Sequence, residues 1–326
     1  LCTSNLPAVA VIPSEHFNTV LYSGTGGNVA VRGVGFQPDF IWGKKRNAVQ
    51  NHWTIDAVRG IGKTLFPDAT DAESSIGLAG YESDGFNTGT NSLYTDNGGN
   101  YVAWNWKANG SGASNTDGSI NTTKTSANVD AGFSIITYSG NNTAGATIGH
   151  GLSKAPEMVI IKSRTNGNDW WDTYHYDIGA NNSLFLNTTN AALDRTYFHD
   201  THPSSTLIYL GNDRSSNGPS ETFVAYAFHS VDGYSAVGSY EGNGVADGSF
   251  VYTGFRPAFV LTKNADAVDN WSIADTSRSP HNVAGESLRP DTNDSEDSAA
   301  DIDILSNGFK IRQADSHRIN YDAETF

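Results

Sequence analysis

The feature of this sequence that most limits its fold is an internal repeat, which occurs three times along 326 residues. In each copy a tyrosine precedes a glycine turn, an X-Pro pair then opens a short apolar run, and a tryptophan follows 14 or 15 residues after the proline. Because a fixed order of markers indicates duplicated structural units, we expect one fold built three times. The markers are Tyr22, Tyr138 and Tyr240; Pro38, Pro156 and Pro257; and Trp53, Trp171 and Trp271.

The repeated segments have the residue pattern of β-strands. Their apolar residues alternate with period two and are rich in aromatic and β-branched side chains. Glycine and asparagine turns, such as those at 83–85 and 96–99, separate them. We therefore predict an all-β fold with very little helix, made of tandem antiparallel β-sandwich repeats of jelly-roll or lectin-like type.

The markers and the composition divide the chain into a short arm, three repeats and one linker. The linker is rich in Gly, Ser and Thr, although Ile120 to Lys124 also fits an edge strand of the second repeat. The expected segments are an extended arm from an upstream domain at 1–16, repeat 1 at 17–108, the linker at 109–130, repeat 2 at 131–231 and repeat 3 at 232–326.

The first two repeats end in a closing strand of alternating apolar residues, at 101–106 and 223–228. In the first of these, Val102, Trp104 and Trp106 would face one side of a sheet, and this bulky side is expected to be the core. Repeat 3 reaches Phe326 where such a strand would begin. We therefore expect the natural polypeptide to continue with several more alternating apolar residues.

The charge of the chain limits its partners. Twenty basic residues stand against 35 acidic ones, which gives a net charge of −15. Such a surface repels phosphate backbones and anionic membranes, so we expect no nucleic-acid partner and no membrane insertion. The single cysteine, Cys2, allows neither an intrachain disulfide nor a thiolate metal site. These properties favour an extracellular or particle-bound protein.

The densest aromatic cluster predicts a candidate sugar platform. Alternation puts Trp170, Tyr174 and Tyr176 on the face opposite the marker Trp171, which is assigned to the core. Exposed aromatic rings of this kind stack on sugars, so these three residues are the candidate glycan-binding residues. Packing between repeats is the alternative explanation for the same stripe.

We expect no cofactor for this chain, with Ca²⁺ at the acidic run near the C-terminus as the one alternative. Its candidate ligands are Asp291, Asp294 and Glu296. The run lacks the glycine and the bidentate glutamate spacing of a helix-loop-helix site. The second repeat has Asn187 at a corresponding place, so a solvated acidic loop is the alternative.

Two further patterns of charged residues are interpreted as structural. Asp56 with Arg59, and Asp275 with Arg278, recur after the marker tryptophan and predict carboxylate–guanidinium pairs that pin a loop. The His-x-x-His pattern at 199–202 is a weak metal motif, and exposed histidines explain it equally well.

No pattern of catalytic residues is evident. Glu157, Asp172 and Glu241 are carboxylates of the kind that glycosidases use, but their spacing marks no pair. The segment 60–64 imitates the end of a phosphate loop without its first glycine. Because tandem repeats more often serve as binding or spacer modules, we expect a non-enzymatic protein.

Several strings together resemble the tandem β-domain virion proteins of marine tailed bacteriophages, over nearly the whole chain. This resemblance implies a larger tail or capsid appendage with an upstream SPRY or concanavalin-like domain before the arm Cys2 to Pro7. It also implies a closing strand after Phe326. The strings lie at 17–22, 33–42, 56–60, 83–86, 101–108, 116–120, 132–136, 149–152 and 250–259.

The resemblance and the repeats lead to one expected function with two alternatives. We expect a structural appendage at the virion surface, resembling a tail or capsid fibre, that contributes to host-surface attachment. Its partners would be other copies of the chain, in a homotrimer or another ring, together with other virion proteins and a host-surface glycan. The alternatives are a carbohydrate-binding module or glycan depolymerase, and a decoration protein of the capsid or tail without a receptor.

Overall fold

The computed structural model describes residues 11–299 and 301–326, and it confirms the predicted all-β class. Within these two ranges helix is limited to single turns: α1 (Ser92–Thr95), α2 (Arg214–Asn217) and 3-10 turns at Pro13–Glu15 and Tyr176–Ile178. The strands are β1 (Phe17–Ser23), β2 (Ala30–Arg32), β3 (Phe40–Lys45), β4 (Trp53–Asp56), β5 (Gly80–Glu82), β6 (Gly85–Asn87), β7 (Asn100–Trp106), β8 (Lys124–Asn128), β9 (Phe133–Ser139), β10 (Ala146–Gly149), β11 (Met158–Ser163), β12 (Trp171–His175), β13 (Asn182–Phe185), β14 (Leu193–Asp194), β15 (Leu207–Leu210), β16 (Thr222–Phe228), β17 (Phe250–Tyr252), β18 (Phe259–Thr262), β19 (Ser272–Asp275), β20 (Ile302–Leu305) and β21 (Gly308–Ile311).

Each repeat forms a unit with an inner sheet and an outer sheet, and the inner sheet has more strands than the outer one in units 1 and 2 but fewer in unit 3. In unit 1 (17–108) the inner order is β1-β7-β3-β4 and the outer order is β2-β6-β5. In unit 2 (109–231) the inner sheet runs β14-β13-β12-β11-β16-β9-β8 and the outer pair is β10-β15. In unit 3 (232–326) the pair β18-β19 holds the inner position and β17-β21-β20 the outer one. All strand pairs are antiparallel.

The three inner sheets pack against one shared core. This central core contains Trp42 and Trp104 of unit 1, Trp171 and Tyr226 of unit 2, and Trp271 of unit 3. Between its inner and outer sheets each unit also has a core of its own. The units are therefore joined through a common interior and are not beads on a string.

The closing strand of unit 1 is buried on both faces. Val102 and Trp104 face the central core, as the alternation predicts, while Ala103 lies in the core of unit 1. The expectation of a single core side was incomplete, because an inner sheet lies between two hydrophobic cores. This position also explains why β3 is buried along its whole length.

The expected linker at 109–130 is wrong in its central and C-terminal parts. β8 pairs with β9 along its whole length, and Ile120 is buried beside Ile148. The segment is thus the edge of unit 2, the alternative that its apolar residues allowed. The expected arm at 1–16 lies mostly outside the described residues, and its described part begins at the buried Val11.

Trp53 is not the structural equivalent of the other two marker tryptophans. Phe40 pairs with Asp56 as Phe259 pairs with Asp275, so His52 corresponds to Trp271. Because adjacent residues of a strand face opposite sides, Trp53 lies in the core of unit 1 and not in the central core. The spacing after the prolines does not show this shift, because Trp53 and Trp171 both follow their proline by 15 residues, and the pairing of Met158 with His175 makes the connection in unit 2 one residue longer.

Candidate functional site

The best-defined sites in the molecule are the interfaces between units, and each uses the same lysine. Lys44 and Lys162 are the last residues but one of the inner strands β3 and β11, Lys263 directly follows β18, and all three are buried. Each Nζ donates to carbonyl oxygens of its own following loop, such as that of Lys45 at 2.7 Å for Lys44 and that of Asn264 at 2.7 Å for Lys263. We refer to these three residues as the lysine clamps.

Each lysine clamp also donates to a carbonyl of a neighbouring unit. Lys162 of unit 2 reaches Thr70 of unit 1 at 2.8 Å, and Lys263 of unit 3 reaches Thr189 of unit 2 at 3.3 Å. Lys44 of unit 1 reaches the carbonyl of Asn293 in unit 3 at 3.4 Å. The three contacts follow one another around a closed ring, so the chain has internal pseudo-threefold symmetry.

Burial lowers the pKa of each lysine clamp to about 8, and nearby carboxylates act in the opposite direction. At neutral pH the ammonium groups therefore remain mostly protonated and can donate all of their N–H groups. A buried charge with these donors needs several acceptors, which the loop carbonyls provide.

The backbone repeats the same contact at all three interfaces. The amides of Glu73, Ala192 and Glu296 each donate to a carbonyl of the next unit, and each N···O distance is 2.8 Å. The acceptors are the carbonyls of Arg164, Ala265 and Arg46, respectively.

Two of the three interfaces add a partly buried ion-pair triad. Between units 1 and 2, Glu73 accepts from Arg59 at 3.2 Å and from Arg164 at 2.8 Å. Burial alone would raise the pKa of Glu73, but the hydrogen bonds and charges of the two arginines hold this pKa below its ordinary value. Arg59 also pairs with Asp56, which confirms the predicted pair.

Between units 3 and 1 the equivalent triad is Arg278, Glu296 and Arg46. Glu296 accepts from Arg278 at 2.9 Å and from Arg46 at 2.7 Å. Arg278 pairs with Asp275, again as predicted. At the third interface Ala192 and Ala265 stand at the corresponding positions, so that interface has no ionic counterpart there.

The predicted loop-pinning aspartates have a further partner in the next unit. Trp104 of unit 1 donates its indole N–H to Asp275 of unit 3 at 3.0 Å. Tyr226 of unit 2 donates its hydroxyl to Asp56 of unit 1 at 2.7 Å. At the equivalent position unit 2 has His175, which pairs with Met158 as Asp56 pairs with Phe40.

The predicted aromatic platform is only partly exposed. Tyr174 is fully buried, and its hydroxyl lies 2.6 Å from His202 Nδ1. Trp170 is half-buried and packs edge-on against Phe185. Tyr176 is 55% exposed and contacts the exposed His202 ring at a centroid distance of 4.8 Å. The three-residue stripe is therefore wrong, because the face opposite Trp171 packs on the core of unit 2, which buries Tyr174, and the chain turns into a 3-10 helix after His175.

The candidate calcium ligands are already engaged with protein donors. Asp291 accepts from the backbone N–H of Trp271 at 3.2 Å, and Asp294 pairs with Arg289 at 3.2 Å. Glu296 belongs to the ion-pair triad described above. Within residues 11–299 and 301–326 no group of three or more His, Cys, Asp or Glu side chains is arranged to hold a metal.

Asp291 holds the loop after Leu288 by accepting a hydrogen bond, and the equivalent residue of unit 2 shows that this role needs no charge. In unit 2 the neutral Asn187 accepts from the Trp171 amide at 3.0 Å, just as Asp291 accepts from the Trp271 amide. Burial raises the pKa of Asp291 to about 6 and that of its unit 1 equivalent, Asp68, to about 7. A position that an amide can fill needs an acceptor and no negative charge.

The carboxylates considered for catalysis lie in separate environments. Glu157 accepts from the backbone N–H of Ser230, and Glu241 is exposed in unit 3. Asp172 is fully buried in unit 2, where burial raises its pKa well above the ordinary value. Neither of its carboxylate oxygens has a hydrogen-bond partner among the residues that the structure describes.

The principal cavity among the described residues lies beside the central core and measures about 700 Å³. Residues of all three units line it, including Trp106, Trp171, His175, Leu184 and Phe259. Its walls are mostly apolar, so the cavity suits a hydrophobic occupant.

The sequence contained a signal for the lysine clamps that the marker pattern did not use. Lys44, Lys162 and Lys263 each follow the marker proline by six residues. A charged residue at a fixed place in an otherwise apolar strand indicates a buried polar contact. The interfaces that these lysines join were not predicted.

No helix among the described residues has the length and hydrophobicity needed to cross a bilayer.

No curated protein and no solved structure matches the chain significantly. One family model, described as a domain of unknown function (DUF7483), matches residues 12–326. Because this match covers all three units, the chain belongs to the DUF7483 family.

Proposed function

We propose that this protein is a structural appendage of a phage particle that contributes to attachment at the host surface. The observation that supports it is the closed ring of three units, in which recurring lysines, arginines and aromatic residues are used for contacts between units. Such a ring resists deformation, because no unit can move without breaking contacts to both neighbours. The resemblance of the sequence to tandem β-domain virion proteins is the reason for proposing that the protein belongs to a phage particle.

The test of this proposal is the location of the protein. Antibodies raised against the folded chain, followed by gold labelling of purified particles, should mark a fixed, symmetric position on the virion. Mass spectrometry of the same particles should recover peptides from all three units. Particles that contain no such peptides would contradict the proposal.

Assembly of the appendage into a homotrimer remains a prediction. The acidic surface, with its net charge of −15, works against close association of copies at low salt. Light scattering at micromolar concentration, at low and at high ionic strength, should detect a trimer that strengthens with salt. A monomer under both conditions would contradict it.

Glycan recognition is the second candidate, and the exposed Tyr176–His202 pair is the observation that favours it. An aromatic ring with one free face beside a polar imidazole can stack on a sugar and hydrogen-bond its hydroxyl groups. On a glycan array Tyr176→Ala should lose binding, while Tyr252→Ala should retain it. Tyr252 is a suitable control because it is 71% exposed in another unit.

The array also separates the alternatives. Binding by the parent protein that Tyr176→Ala abolishes would support recognition of a host-surface glycan. Turnover of the bound glycan would instead indicate a depolymerase. If no glycan binds, the platform is refuted and a decoration protein without a receptor becomes the better description.

A further inference from the structure

The closing strands of units 1 and 2 each occupy the centre of an inner sheet. β7 lies between β1 and β3, and β16 lies between β9 and β11. Neighbouring strands are about 4.8 Å apart, so the two strands that flank a closing strand are about 10 Å apart. In both units the closing strand supplies the bulky side chains of the central core.

In unit 3 the beginning of such a strand is in place. Phe326 and Tyr240 exchange two backbone hydrogen bonds of 2.9 Å, and the amide of Ala265 donates to the Thr325 carbonyl at 2.8 Å. The equivalent bonds, from Arg46 to Asn100 and from Arg164 to Thr222, are both 2.7 Å long. Glu324–Phe326 therefore enters the sheet as the first residues of β7 and β16 do.

Ring stacking gives the register of this segment. Tyr240 stacks on Phe326 with centroids 5.2 Å apart and planes inclined by 13°. The same pairing joins Tyr22 to Tyr101 at 4.9 Å and Tyr138 to Phe223 at 5.1 Å. Phe326 thus holds the position of Tyr101 and Phe223, and five residues follow that position in each of β7 and β16.

Beyond this point the two flanking segments of unit 3 face a groove. One wall is formed by residues 235–239, which form no strand, and the other is formed by β18. β18 is mostly half-buried, whereas its equivalent in unit 1, β3, is buried throughout. The cavity of about 700 Å³ described above lies here, and both walls line it. We call it the strand groove.

The floor of the strand groove is formed by side chains of unit 2. Leu184, Leu186 and Trp171 line it together with His175. His175 has in unit 2 the position that Asp275 has in unit 3 and Asp56 has in unit 1. Asp275 accepts a hydrogen bond from Trp104, and Asp56 accepts one from Tyr226. The floor is therefore an apolar surface with one polar group, His175. At the other two interfaces the equivalent polar group accepts a hydrogen bond from an aromatic residue of a closing strand.

We propose that the strand groove binds one β-strand that runs on from Glu324–Phe326 and pairs with both β18 and residues 235–239. Its first, third and fifth residues beyond Phe326 face the central core, as Val224, Tyr226 and Phe228 do in unit 2. The third residue carries a hydroxyl or ring N–H that meets His175. This strand completes the third inner sheet and closes the central core.

The test extends the chain at Phe326 by Val-Ala-Tyr-Ala-Phe, which copies residues 224–228 of unit 2. The matched control is Val-Pro-Tyr-Pro-Phe, which keeps the core-facing residues and removes two of the backbone donors that pair with the groove walls. The first extension should raise the unfolding midpoint by about 5 °C or more, and the control should not. Hydrogen exchange at 235–239 and in β18 should slow only with the first extension.

Three results would overturn the proposal. If neither extension raises the midpoint or slows exchange, the groove does not accept a strand. If both act equally, the effect is unspecific hydrophobic cover. If the free peptide Phe-Val-Ala-Tyr-Ala-Phe, added to the unextended chain, protects β18 while the extension does not, the occupant comes from a separate chain and is not continuous with Phe326.

Discussion

Replacing Asp291 by asparagine should stabilise the protein at neutral pH, although it removes a charge from an acidic loop. Asp291 accepts from the Trp271 amide at 3.2 Å and from Asn270 Nδ2 at 2.7 Å. An asparagine keeps an acceptor for the amide, as Asn187 does in unit 2. The amide of Asn270 can rotate so that its oxygen faces the new NH₂ group.

The size of the gain follows from the pKa of Asp291, which burial raises from 3.8 to about 6. A folded-state pKa above the unfolded value means that the native state binds the extra proton, so stability is highest below about pH 4 and falls as the pH rises through 6. Two pKa units correspond to at most about 3 kcal/mol. Because solvent reaches part of the loop, we expect about 1–2 kcal/mol at pH 8.

The assay is urea unfolding at pH 4, 6 and 8. Asp291→Asn should match the parent at pH 4 and exceed it at pH 8, while the reciprocal Asn187→Asp should lose stability at pH 8. The same titrations with Ca²⁺ and with chelator test the calcium interpretation of Asp291. A variant that is less stable than the parent at pH 8, or a parent stabilised by Ca²⁺ when the variant is not, would refute the reasoning.

Three further substitutions test other buried charges by urea unfolding. Glu73→Ala removes the anion that the buried Arg59 and the half-buried Arg164 share, and it should cost about 3 kcal/mol. A loss below about 1 kcal/mol would contradict the role of the triad. Lys162→Met leaves loop carbonyls without their donor and should cost about 2 kcal/mol, whereas the exposed Lys154→Met should change stability by less than about 0.5 kcal/mol. Asp172→Asn should stabilise the fold at pH 7, because burial raises the pKa of Asp172. The variant should also reduce the decline in stability that the parent shows as the pH rises above about 4. An unchanged pH profile of stability would count against this.

The fold class could be predicted from the sequence because strand alternation and turn residues are local properties. The aspartate–arginine pairs were also predictable, since both partners lie three residues apart on one turn. The position of Trp53 outside the central core was not predicted, because Trp53 and Trp171 have the same spacing from the proline, while one extra residue in the connection of unit 2 reverses the side that the tryptophan faces.

The arrangement of the units could not be predicted from local patterns. Lys44 contacts the carbonyl of Asn293, which lies in another unit about 250 residues away along the chain. Repeats are compatible with a row of independent sandwiches or with a ring, and only the packing of the inner sheets around Trp104, Trp171 and Trp271 distinguishes them. The burial of Tyr174 has the same origin, because its environment is supplied by the distant His202.

The measurement that tests this account most directly is scanning calorimetry of the whole chain at neutral pH. A ring of three units that share a central core and clamp one another should unfold in one transition, with equal calorimetric and van't Hoff enthalpies. Lys162→Met and Glu73→Ala should then lower the midpoint of that single transition. Two or three separate transitions, with only one displaced by each variant, would show that the units fold independently and would contradict the interlocked ring.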